Sequence, residues 1–124
     1  MKTIHMLGRD HAITLPGFAE REDVAVAYSD AYPRGGVRLM RAYSAAIGLC
    51  TRVGRESGHT LGDHKYDVLA YGGAVYGYLR GQGVPAKEIV EQGLPCVSAI
   101  CDALAPRESE VREKEDFTGP VEAK

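Results

Sequence analysis

The 124-residue chain contains no tryptophan and only two phenylalanines, so its seven tyrosines supply most of the aromatic surface. A long apolar run is missing as well. The longest apolar stretches are broken by Arg, Asp or Gly well short of the roughly 18 residues that a bilayer span needs, and no basic-apolar-small leader opens the chain. Neither a transmembrane nor a secreted protein is expected. Charge of one sign is also lacking: 15 basic and 17 acidic groups leave a net −2, which gives no general attraction for a phosphate backbone. Three cysteines, Cys50, Cys96 and Cys101, cannot all pair within one chain, and a domain of this size needs no disulfide staple. They read as reduced thiols in helix packing.

What is present is an ordinary globular composition, 44% apolar and 26% charged. It predicts one globular domain over residues 1–105, mainly α in an α+β arrangement: an N-terminal β-hairpin within 2–15, then a bundle of four to five helices over 19–104. Lys2–Leu7 and Ala12–Leu15 flank Gly8-Arg9-Asp10-His11, and Ile4 and Met6 alternate with polar neighbours at period two. His5 and His11 are expected to be exposed beside the turn. Pro16-Gly17 stops the second strand, and Glu20, Glu22 and Asp23 suit the positive end of a helix starting near Ala19. Its apolar stripe is Val24, Ala27, Tyr28, Ala31 and Tyr32, and Pro33-Arg34-Gly35-Gly36 ends it.

The second helix is predicted over Val37–Val53, from Met40, Tyr43, Ile47, Cys50 and Gly54 at three- and four-residue spacing. Residues 54–64, with three glycines and little apolar content, read as a loop. A third helix over Tyr66–Gly81 is apolar or small through most of its middle, which makes it the expected central helix. Pro85 suits the first turn of a fourth helix ending near Gln92, and Pro95, which would withhold a hydrogen bond and clash with the preceding turn, divides it from a fifth over Pro95–Leu104. Residues 107–116 hold three basic and five acidic groups around a single apolar side chain. Residues 106–124 are accordingly expected to form a flexible, disordered, charged tail.

Gly72, Gly73 and Gly77 each cost the third helix about 1 kcal/mol against alanine, so packing must offset them. Gly73 and Gly77, four apart, could form a smooth groove for another helix; internal core packing is the simpler account of it and a partner the alternative. Tyr71 and Tyr78 are seven apart and nearly share a face, where they are either half-buried tyrosines or a contact surface. With Phe117 in the tail, Tyr71, Gly73, Gly77 and Tyr78 are the candidate protein-binding residues.

No Gly-x-Ser-x-Gly elbow, phosphate loop or paired-histidine helix motif occurs in the sequence. Cys96 and Cys101, five apart, diverge by roughly 140° on a helix and cannot share a zinc ion as Cys-x-x-Cys does. His59 and His64 with Asp63 are the one set a loop could draw together, enough for a weak site at most. No catalytic residue, metal or cofactor is assigned, and no enzyme is expected.

The segments Tyr66-Asp-Val-Leu-Ala-Tyr-Gly-Gly-Ala-Val-Tyr-Gly-Tyr-Leu, Gly83-Val-Pro-Ala-Lys-Glu-Ile-Val and Leu104-Ala-Pro-Arg-Glu-Ser-Glu-Val, set after a lysine-led hairpin, resemble in pattern the tail assembly chaperones of long-tailed bacteriophages and prophages. The resemblance covers most of the chain and is one of organisation, so it carries over no residue-level site. It implies a factor in the bacterial host cytosol that binds the tape measure protein, and possibly tail tube subunits, during tail assembly. Self-association along that template is implied too. Two other roles stay open: a head–tail connector or tail terminator retained in the particle, and a small regulatory nucleic-acid module using Arg38, Arg41, Arg52 and Arg55. In that module Arg38 and Arg41 would share one face, as would Arg52 and Arg55, without joining into a clear strip.

Overall fold

Residues 2–104 are described by the computed structural model. Two short strands, β1 (Thr3–Met6) and β2 (Arg9–Ala12), pair antiparallel with Ile4 opposite His11 and Met6 opposite Arg9. The connecting turn is Leu7-Gly8 alone, both at positive φ (58° and 76°), the conformation that two-residue hairpin loops require. This is tighter than the four-residue turn expected at Gly8–His11, and it moves the second strand to Arg9–Ala12 from Ala12–Leu15. The shorter turn also changes which face each residue meets. His11, directly across from Ile4, points inward and is buried at 1% exposure, contrary to expectation, while His5 stays outside beside Asp10. The buried ring is satisfied: His11 Nε2 lies 3.0 Å from the Met6 carbonyl and donates to it.

Five helices follow: α1 (Phe18–Ala31), α2 (Gly36–Cys50), α3 (Val53–Ser57), α4 (Val68–Gly81) and α5 (Ala86–Leu104). The hairpin with helices matches the expected fold class, and the charged tail, with Phe117, lies outside the described residues. At the centre stands α2, not the third predicted helix. Residues 42–48 of α2 are buried without interruption, because Ala42, Ser44, Ala45, Ala46 and Gly48 are small enough for α1, α3, α4 and α5 to approach from every side.

Helix α2 stops at Cys50 rather than running to Val53. Thr51 is extended there; its hydroxyl donates to the Ile47 carbonyl at 2.7 Å and accepts from Val53 N–H at 3.1 Å, while Thr14 N–H takes the Cys50 carbonyl at 2.7 Å. The freed C-terminal carbonyls are thereby satisfied. The expected 54–64 loop is partly regular: α3 ends in left-handed Gly58, and a 3-10 turn spans Gly62–His64. Lys65 and Tyr66, both at positive φ, keep α4 from starting at Tyr66, and the Asp67 carboxylate caps it by accepting from Leu69 and Ala70 N–H at 3.0 and 3.1 Å.

The two helices expected on either side of Pro95 are one, α5. Pro95 leaves the Glu91 carbonyl without its helical donor, but Glu91 is exposed and water is at hand. The opposite face, Ile89, Gly93, Cys96, Val97 and Ile100, is buried, and that packing holds the helix through the proline. Each fully buried aliphatic side chain, such as Ile47, Leu79, Ile89 or Ile100, contributes roughly 1.5–3 kcal/mol. The hairpin is tied down at two places: Arg9 Nη2 reaches both Glu56 carboxylate oxygens of α3 at 2.7 Å, and Gln92 Oε1 of α5 accepts from His5 N–H at 2.9 Å.

Cys50 of α2 and Cys96 of α5 are buried, the Cys96 thiol donates to the Gln92 carbonyl at 3.7 Å, and the neighbouring Cys50 together with burial pushes the Cys96 thiol up. Cys101 is only partly buried. No two of the three share a loop, and all three are free thiols.

Candidate protein-contact surface

Four of the five residues proposed from sequence lie on α4, and the structure separates them. Tyr71 is core: it is 2% exposed, and a Cβ on either Gly48 or Gly54 would meet its hydroxyl. Burial pushes its pKa up to about 12. It belongs with Val68, Gly72, Val75 and Leu79 on the inner face of α4, so it is no contact residue. Tyr78 is half-buried and packs against the edge of the core.

The glycines divide in the same way. Helix α4 crosses α2 most closely at Gly72, where a Cβ would collide with the Arg41 carbonyl. The close approach expected at Gly73 is therefore one residue away. Gly73 sits 3.2 Å, measured from an added Cβ, from the Arg41 Nε of an exposed side chain that can give way. Gly77 is exposed with nothing within 4 Å. Ala70, Gly73 and Gly77 thus make a strip on α4 almost without side chains, and a cleft of about 490 Å³ opens beside its start, lined by Val37, Arg38, Arg41, Asp67, Leu69 and Ala70. Arg80 closes the far end, donating to the Tyr76 hydroxyl at 2.9 Å.

The arginines considered for nucleic acid fall into two different clefts. Arg38 and Arg41 line the one just described, with Arg38 Nη1 3.1 Å from Asp30 Oδ2. Arg52 and Arg55 line another of about 410 Å³, with Leu15, Leu49, Thr14 and Thr51. No side chain lines both, so they form no continuous basic strip.

A surface that sequence periodicity passed over lies on α1. Phe18, Val26 and Tyr32 are 60%, 70% and 61% exposed, and they fall within about 120° of one another around the helix. The inner face carries Val24 and Ala31, with Ala27 and Tyr28 packed at its margin. Apolar side chains therefore lie on both sides of α1, and Tyr32, expected in the inward stripe, is on the outer one. Val26 was the available signal, an apolar residue off the predicted stripe. Tyr28 joins the two sides: its ring lies 5.5 Å from Tyr43 below and 5.6 Å from Tyr32 above. Burial and its hydrogen bond with Tyr43 push the Tyr28 pKa up.

Among the described residues, no helix is long and apolar enough to cross a membrane. No known family model matches the chain, and no match is found among characterised proteins or among solved structures.

Proposed function

We propose that the chain works by binding another protein, and that it is a tail assembly chaperone that covers the tape measure protein during phage tail assembly. One observation carries the binding part: α1 and its C-terminal cap Tyr32 expose Phe18, Val26 and Tyr32 on the outer face, while α1 buries Val24 and Ala31 on its inner one. A surface helix with apolar side chains on both faces leaves one of them unpartnered, and an amphipathic helix of another protein is the usual occupant of such a face. The specific role is supported by the resemblance in organisation, a hairpin followed by helices and a charged end. Many copies along a long helical protein would each cover part of it and add charge to the outside.

The test is co-purification of the full chain with a fragment of a phage tape measure protein. Phe18→Glu with Val26→Glu should abolish capture while the melting temperature stays within a few degrees of the parent, since both side chains are exposed. Undiminished capture by a folded double variant would remove α1 from the interface. Mass spectrometry of purified particles separates the chaperone from a connector: the chaperone is missing, whereas a connector is present in fixed copy number.

A further inference from the structure

His59 and His64 approach across the 3-10 turn, with His59 Nδ1 and His64 Nε2 3.3 Å apart, ring centres 5.2 Å apart and ring planes at 44°. The turn that brings them together is well fixed. Thr60 N–H donates to Asp63 Oδ2 at 3.0 Å and Asp63 N–H to Thr60 Oγ1 at 3.1 Å, while Leu61 between them is 8% exposed and anchors the turn in the core. Asp67 N–H donates to the His64 carbonyl at 3.0 Å, and the His64 ring stands edge-on to Tyr71 at 6.3 Å.

The two distances are short of a good N–H···N hydrogen bond between the rings. Such a bond is strongest near 2.7–3.2 Å and close to linear, and at 3.3 Å a linear one would hold the ring centres roughly 5.6 Å apart. A bent, weak hydrogen bond fits both values, and so does a shared metal ion. Two ring nitrogens at about 2.0–2.1 Å from a tetrahedral ion stand about 3.3 Å apart, with ring centres about 5.2 Å apart.

We infer that His59 Nδ1 and His64 Nε2 form a binding site for a nitrogen-preferring divalent ion of the zinc, nickel and copper class. Imidazole suits these ions, whereas magnesium and calcium prefer oxygen. Among the described residues no third His, Cys, Asp or Glu is grouped with the pair as a ligand, so two coordination positions are left for water or for a donor from another molecule. Asp63 supplies compensating charge close by.

The test is a titration of the full chain with zinc chloride, followed by calorimetry and by the imidazole nitrogen resonances of the four histidines. One zinc per chain should bind, shifting His59 Nδ1 and His64 Nε2 and leaving His11 unmoved. His59→Ala and His64→Ala should each weaken binding at least about tenfold, since even the loss of an outer partner costs roughly 10–100-fold. His5→Ala should bind zinc like the parent, and excess magnesium should not compete. Zinc affinity unchanged in His59→Ala, whose side chain is exposed and whose loss should not unfold the chain, would overturn the site. So would the absence of binding at millimolar zinc.

Discussion

Gly72 of α4 lies directly on the backbone carbonyl of Arg41 in α2, so closely that no Cβ fits between them. Gly77, five residues on, faces open space. Gly72→Ala should therefore lower stability by about 1–3 kcal/mol through forced separation of the two helices. Gly77→Ala should raise it by about 1 kcal/mol, because alanine restricts the unfolded chain more and meets no neighbour. Thermal and urea unfolding of the two variants would show opposite shifts; equal shifts would contradict the crossing described.

Tyr71 is buried and its pKa is pushed up to about 12 from an ordinary 10.0. A raised phenol pKa means that the unfolded chain loses its proton first, so the contribution to stability is complete below about pH 10 and lost as pH climbs toward about 12. The loss attached to Tyr71 is on the order of 2–3 kcal/mol. Urea unfolding at a series of pH values should show this fall, and Tyr71→Phe should make the curve flatter above pH 10.

His11 is buried and donates from Nε2 to the Met6 carbonyl. His11→Ala leaves that carbonyl without its partner and opens space under Ile4, and should cost about 1–3 kcal/mol. Nitrogen NMR of the parent should show the Nε2–H tautomer at this ring. His5→Ala, at an exposed position, should change stability by less than about 0.5 kcal/mol.

Pro95 sits inside α5 and withholds one hydrogen bond from Glu91. Pro95→Ala restores it without enlarging the core, and should raise stability by about 1–3 kcal/mol. An unchanged or lower melting temperature would mean that the ring packs better against its surroundings than its partial exposure suggests.

Exposed Phe18, buried Val24 and exposed Val26 show how far local pattern reaches. Alternation at Ile4 and Met6, and three- and four-residue spacing through Met40, Tyr43 and Ile47, were legible because each helix or strand must turn one face inward and its period is set by the backbone. The break at Pro33–Gly36 after α1 was legible for the same local reason. Tertiary structure alone decided what depends on a neighbour. Whether Gly72 or Gly73 takes the crossing turns on a rotation of α4 of about 100°, which only the Arg41 carbonyl opposite it selects. Pro95 stays helical because the buried face from Ile89 to Ile100 outweighs one missing bond, and His11 goes inside because a two-residue turn places it opposite Ile4. His59 and His64 meet only because Leu61, tucked into the core, folds the segment between them into a turn, a contact between residues whose own spacing carries no period.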